Sequence, residues 1–73
     1  MNVGQIIKQC RKDKKLTLKD LAKKINLSFP YISQIESGSR KASPEILQKI
    51  SKALDINYLD LMISAGYLQE ESI

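Results

Sequence analysis

Residues 17–38 read TLKDLAKKINLSFPYISQIESG and hold two short amphipathic segments with almost nothing between them. In the first segment, apolar residues recur at a spacing that places them on one face of a helix: Leu18, Leu21, Ala22 and Ile25. Thr17 can cap this helix, and Asp20 stands where a side chain can reach back to the cap. The pattern predicts a helix that begins at Leu18.

The second segment begins only a few residues later. Asn26 follows the first helix, and asparagine readily takes the left-handed conformation that ends a helix. Ser28 can cap the next helix, with Pro30 in a first turn where a missing N–H costs nothing. Since Gly38 can end it, we predict a helix over residues 29–37, joined to the preceding helix by a tight turn.

Helical periodicity continues on both sides of this pair. Residues 3–10 carry an apolar stripe that predicts a first helix, with Cys10 as a small buried member. The caps Ser43 and Asn57 predict a fourth helix and a fifth one that stops at Gly66. We therefore predict an all-α fold of five helices, with a core that includes these residues: Ile7, Leu21, Ala22, Ile32, Ile35, Leu47, Ile50 and Leu54.

Length and composition narrow the possible functions. A chain of 73 residues closes around one modest core, so we predict one domain over residues 1–68 and a disordered tail over residues 69–73. With no histidine and one cysteine, a single chain offers neither an internal disulfide nor a thiolate metal cluster. We expect no enzyme, no metal and no other cofactor. The lack of a long apolar run or a secretion signal predicts a cytoplasmic protein.

Charge is distributed unevenly along the chain. Residues 1–41 carry ten Lys or Arg and three Asp or Glu, whereas residues 42–73 carry two and five. This asymmetry suggests a face that binds a polyanion.

The outward face of helix 29–37 is unusual for a surface that meets only water. With Ile32 and Ile35 turned inward, Phe29 lies on the flank and four other side chains point outward: Pro30, Ser33, Gln34 and Ser37. An ordinary solvated helix would carry lysine and glutamate there. Two short helices with such a face form the arrangement that lets the second helix enter a DNA major groove.

Several motifs together resemble the phage-repressor-like (Cro/CI, XRE) helix-turn-helix family over nearly the whole chain. They are Thr17 to Ala22, Leu27-Ser28, Ile32-Ser33-Gln34-Ile35-Glu36-Ser37-Gly38, Arg40 and Ser43-Pro44. The resemblance implies a lambda-repressor-like DNA-binding domain whose helix-turn-helix is formed by helices two and three. Asn26 departs from the usual glycine, and Phe29-Pro30 stand where many members present polar base readers.

The resemblance also implies roles for individual side chains. Base edges are read from helix three by Phe29, Pro30, Ser33, Gln34 and Ser37. The DNA backbone is bound by the start of helix two, by helix three and by the loop after it: Thr17, Lys19, Ser28, Tyr31, Ser39, Arg40 and Lys41. Arg11 and Glu36 form a structural ion pair; two independent surface charges are the alternative.

Helix three carries no Lys or Arg, so arginine contacts to guanine are not available from it. Gln34 can bond adenine N6 and N7, while Phe29 and Pro30 can pack on a thymine methyl group. We therefore expect A·T pairs under Phe29 and Gln34. In the alternative, Phe29 packs on the first helix and DNA shape supplies the specificity.

Helix five and the residues after it offer more apolar surface than the core needs, which suggests a dimer surface: Leu59, Met62, Ile63, Tyr67 and Leu68. We expect a homodimeric bacterial or phage repressor that binds a palindromic operator in double-stranded DNA at the nucleoid. The alternatives are a protein-interaction module, such as an antirepressor or an antitoxin partner, and the N-terminal DNA-binding fragment of a longer repressor. The Arg40-Lys41 pair favours DNA.

Overall fold

Five α-helices follow one another in the computed structural model, which describes residues 2–69. They are α1 (Val3–Asp13), α2 (Leu18–Lys24), α3 (Phe29–Ser37), α4 (Pro44–Leu54) and α5 (Tyr58–Ser64). No strand occurs in this part of the chain, so the predicted all-α fold is confirmed. Within residues 2–69, none of the helices has the length and apolar character needed to cross a membrane. The predicted tail lies outside the described residues from position 70 onward.

Side-chain caps explain where the helices begin. Each helix is preceded by a residue whose side chain accepts a hydrogen bond from the backbone N–H three residues later: Asn2, Thr17, Ser28, Ser43 and Asn57. Two residues after helices have the left-handed conformation that the sequence predicts, Asn26 with φ of 59° and Gly38 with φ of 87°. The boundaries of α2 and α3 therefore follow from local side-chain chemistry.

Two other helices pack against α3, the helix that carries the predicted base readers. Both α1 and α2 pack against α3, whereas α4 packs against α5 and also meets α1. All eight predicted core residues are buried, and four further apolar residues complete the core: Ile25, Ala42, Leu61 and Met62. Ala42 lies in the loop between α3 and α4, so this loop is anchored in the core at its end.

A close backbone contact joins the start of α1 to the end of α3. At Gly4, a Cβ atom would lie 2.5 Å from the carbonyl oxygen of Glu36 and 2.6 Å from that of Ile35. Both neighbours are backbone atoms, which cannot move aside without shifting the helix. Only glycine fits this position, a requirement that the sequence pattern of α1 did not indicate.

Two predictions for apolar residues need correction. Met62, assigned to the dimer surface, is only 9% exposed, because α5 turns Leu61 and Met62 toward the core and Leu59 toward solvent. Cys10 is half-buried and packs against the edge of the core instead of lying within it. Met62 therefore belongs to the core, while Leu59 remains on the surface of α5.

Candidate nucleic-acid interface

The surface of α3 divides into a buried side and an exposed side. Ile32 and Ile35 are buried against the other helices. The exposed side holds four of the five predicted base readers: Phe29, Pro30, Gln34 and Ser37. Ser33 is half-buried and lines a small cleft with Leu18 and Lys8. The outward face is thus formed by an exposed aromatic ring at the front, a carboxamide in the middle and a hydroxyl at the end.

A buried ion pair fixes α3 against α1. Arg11 Nε donates to Glu36 Oε2 at 2.7 Å, and a terminal nitrogen of Arg11 donates to Glu36 Oε1 at 3.1 Å. The other terminal nitrogen donates to the carbonyl oxygen of Leu16 at 2.7 Å. Paired N–H donors matched to both carboxylate oxygens give a planar contact with a defined direction. Arg11 therefore sets both the orientation of α3 and the path of the chain into α2.

The loop after α3 folds back on the helix end. The backbone carbonyl of Gln34 accepts from the N–H of Ser39 at 3.0 Å, from that of Arg40 at 3.2 Å and from the hydroxyl of Ser37 at 3.0 Å. The hydroxyls of Ser37 and Ser39 lie 3.1 Å apart. Because Gly38 is left-handed, the chain can reverse here without strain. The predicted backbone contact Ser39 is thereby brought beside the predicted base reader Ser37.

The side chain of Arg40 also returns to α3. Its Nε donates to Gln34 Oε1 at 2.8 Å, and its guanidinium carbon lies 5.1 Å from the centre of the Tyr31 ring. Arg40 therefore contacts both Gln34 and Tyr31. The sequence motifs assign Gln34 to base reading and the other two residues to the DNA backbone.

Lys41 points to a different neighbour. Its Nζ lies 4.6 Å from the centre of the Tyr67 ring, and the Tyr67 hydroxyl donates to the carbonyl oxygen of Ala42 at 2.6 Å. Tyr67, predicted as a dimer contact, is half-buried and supports the loop that carries Lys41. Periodicity gives no sign of this role, because Tyr67 follows the last helix.

The start of α2 combines exposed donors with one negative charge. Thr17 and Lys19 are exposed, and the first N–H groups of a helix have no acceptor within it. The Asp20 carboxylate accepts from the backbone N–H of Thr17 at 2.9 Å, while Thr17 Oγ1 accepts from the N–H of Asp20 at 3.0 Å. The hydrogen bonds from the backbone and side chain of Thr17 lower the pKa of Asp20. An anion that approaches here therefore meets a nearby carboxylate.

The remaining predicted site residues lie at the start of α3 and on the predicted dimer surface. Ser28 is exposed and caps α3 by accepting from the N–H of Tyr31 at 3.3 Å. Beyond the interface, Leu59 is 56% exposed and Leu68 42% exposed, whereas Ile63 is half-buried. Within the described residues, no group of His, Cys, Asp and Glu side chains could hold a metal ion.

Comparison with known proteins finds a family model and curated relatives that match most of the chain. A family model described as helix-turn-helix matches residues 7–61, from the first helix to the fifth. The chain is 38% identical over 68 residues to the HTH-type transcriptional repressor RghR of Bacillus subtilis, covering 92% of this chain and 50% of that protein. It is 38% identical over 71 residues to the immunity repressor protein of Bacillus phage phi105, covering 97% of this chain and 49% of the repressor.

Structural similarity leads to the same group of proteins. The crystal structure of SinR, a master regulator for biofilm formation, in complex with DNA superposes with a TM-score of 0.76 and 38% identity. The match covers 82% of this chain and 97% of that one. The chain spans half or less of the length of the curated relatives that it matches. Of these relatives, RghR and the phage protein are both named as repressors.

Proposed function

Because the chain belongs to the XRE-type helix-turn-helix family, we propose that it binds double-stranded DNA sequence-specifically and represses transcription. In this proposal α3 enters the major groove, while the start of α2 and the loop after α3 bind the sugar-phosphate backbone. The names of RghR and of the phage repressor support repression, and the SinR complex supports DNA as the partner. Such a regulator acts in the cytoplasm, where nucleoid DNA is accessible.

The exposed face of α3 is the observation that carries this proposal. Phe29, Pro30, Gln34 and Ser37 form a face without an acidic side chain, and Arg40 and Lys41 lie directly beyond it. The one carboxylate of α3, Glu36, is buried and paired with Arg11. In DNA, phosphates flank the groove in which the base edges are exposed. An uncharged face with cations beside it is complementary to that arrangement.

Selection from a random pool of duplex DNA tests the proposal. The purified chain is incubated with the pool, and bound duplexes are amplified and sequenced over several rounds. We expect a single enriched motif with A·T pairs under Phe29 and Gln34, and binding that weakens steeply with added salt. Gln34→Ala should retain random-sequence binding but lose the preference. An unenriched pool would contradict DNA recognition and favour a protein-binding role for this face.

We further propose that the domain binds a palindromic operator as a homodimer through α5 and the residues after it. Leu59 and Leu68 are large, exposed apolar side chains, and burial between two copies would remove them from water. Half-site centres would lie about 34 Å apart. Sedimentation equilibrium with a palindromic duplex should give two chains per duplex. Leu59→Glu should reduce this to one, whereas Lys12→Glu, an exposed charge change on α1, should not.

A further inference from the structure

We propose that Arg40 is a specificity-determining positioning residue, which holds the carboxamide of Gln34 in the orientation that reads a base. This inference rests on the proposed DNA-binding function and assigns Arg40 a role beyond a phosphate contact. It starts from the hydrogen bond between Arg40 Nε and Gln34 Oε1, which is 2.8 Å long.

The chemistry of the pair determines which way the carboxamide points. An arginine side chain has only donors, so the carboxamide atom that faces Nε must be the oxygen. The NH2 group of Gln34 is consequently turned away from Arg40. A free glutamine can exchange these two groups by rotating its terminal bond, whereas a glutamine held by Arg40 presents one arrangement.

Arg40 is itself held on two sides. Its guanidinium lies over the Tyr31 ring, with 5.1 Å between the guanidinium carbon and the ring centre. Its backbone N–H donates to the carbonyl oxygen of Gln34 at 3.2 Å. The loop and the helix end therefore form a closed arrangement in which the main chain and the side chain of Arg40 both contact Gln34.

The held carboxamide retains the groups that adenine needs. The Gln34 oxygen has two lone pairs, of which Arg40 takes one, and the NH2 group keeps both donors. One lone pair and one N–H suffice for adenine N6 and N7. The contact uses Nε of Arg40, so the terminal nitrogens remain able to donate to a phosphate. A single arginine thus links a contact to a DNA phosphate with the neighbouring contact to a base.

The test compares discrimination with overall affinity. The wild-type chain, Arg40→Ala and Lys41→Ala are titrated with the selected duplex and with one in which the pair under Gln34 is changed. We expect Arg40→Ala to lower the ratio of the two affinities by at least about fivefold, because a good bidentate pair discriminates against the wrong base by about that factor or more. Lys41→Ala, a matched loss of one cation from the same loop, should weaken both duplexes equally. An unchanged ratio in Arg40→Ala would overturn the proposal.

A measurement on the free protein separates this inference from the proposed function. The side-chain NH2 group of Gln34 should show restricted motion by 15N relaxation, and Arg40→Ala should release it while Lys41→Ala should not. Equal mobility in all three chains would contradict the positioning role even if DNA selection succeeds. Restricted motion with a failed selection would refute the DNA-binding proposal instead. In Gln34→Ala, adding Arg40→Ala should cause no further loss of discrimination.

Discussion

Arg11 and Glu36 form a buried bidentate ion pair, with Arg11 Nε 2.7 Å from one carboxylate oxygen and a terminal nitrogen 3.1 Å from the other. Both side chains are nearly inaccessible to water. The pair lies between α1 and α3, so the two charges determine how the candidate recognition helix is presented.

Breaking this pair on one side should be more damaging than removing it. Arg11→Met leaves an unpaired carboxylate in a buried site, and we expect a loss of about 3–5 kcal/mol in the free energy of unfolding. The double variant Arg11→Met/Glu36→Leu should lose less, although it also lacks the bond to the Leu16 carbonyl. Urea denaturation measures both. A double variant no more stable than Arg11→Met would contradict the prediction.

Gly4→Ala should destabilise the fold, although alanine is the better helix former. The new methyl group would lie 2.5 Å from a backbone carbonyl of α3, so the helices must separate. Such overpacking costs about 1–3 kcal/mol. Thermal unfolding should show a lower Tm for Gly4→Ala, while Lys12→Ala, at an exposed position of the same helix, should change little. A raised Tm for Gly4→Ala would show that the contact is not rigid.

Asn26 should tolerate glycine but not alanine. Its φ of 59° lies in the left-handed region, which costs an ordinary L residue about 1–2 kcal/mol. Asn26→Ala should therefore lose about 1 kcal/mol, whereas Asn26→Gly should stay within about 0.5 kcal/mol of the wild type. Chemical denaturation of the three chains checks the order of stability, and equal stabilities of the alanine and glycine variants would disprove it.

The pKa of Asp20 should depend on Thr17. Hydrogen bonds from the backbone and side chain of Thr17 lower the pKa of Asp20 in the folded state. The cap therefore contributes its full stability at a pH above the pKa that Asp20 has in the unfolded chain. That stability is lost as the pH falls through the lower pKa of the folded state. A 13C titration should show a partial rise in the pKa of Asp20 in Thr17→Ala, because the backbone donor remains, and none in Thr17→Ser. No rise in Thr17→Ala would exclude a contribution from the hydroxyl.

Phe29 should contribute affinity through a thymine methyl group. Phe29 is 42% exposed at the front of α3, which leaves it accessible to DNA. Replacing thymine by uracil, one position at a time, removes only the methyl group. We expect weaker binding at one half-site position in the wild type and no such difference in Phe29→Ala. Unchanged affinity at every position would leave specificity to DNA shape.

Local features of this fold follow directly from the sequence. The caps Thr17 and Ser28 and the turn at Asn26 depend on neighbours within a few residues. Both α2 and α3 therefore begin where predicted, and α3 also ends there, whereas α2 ends one residue early, at Lys24. Gly4 contacts the end of α3, which is distant in the sequence. The contact of Arg40 with Gln34 depends on the path of the loop between them. Met62 shows a third limit, because the short α5 has too few turns for its apolar residues to define one inward direction.

The two tyrosines beneath the loop cations also affect the entropy of binding. Arg40 lies over Tyr31 and Lys41 over Tyr67, so both long side chains are restricted before any DNA arrives. Immobilising a side chain of this kind on binding costs about 0.5–1.5 kcal/mol. Here part of that cost is met when the domain folds. The loop is therefore preorganised, and the two tyrosines favour association by restricting its cations in advance.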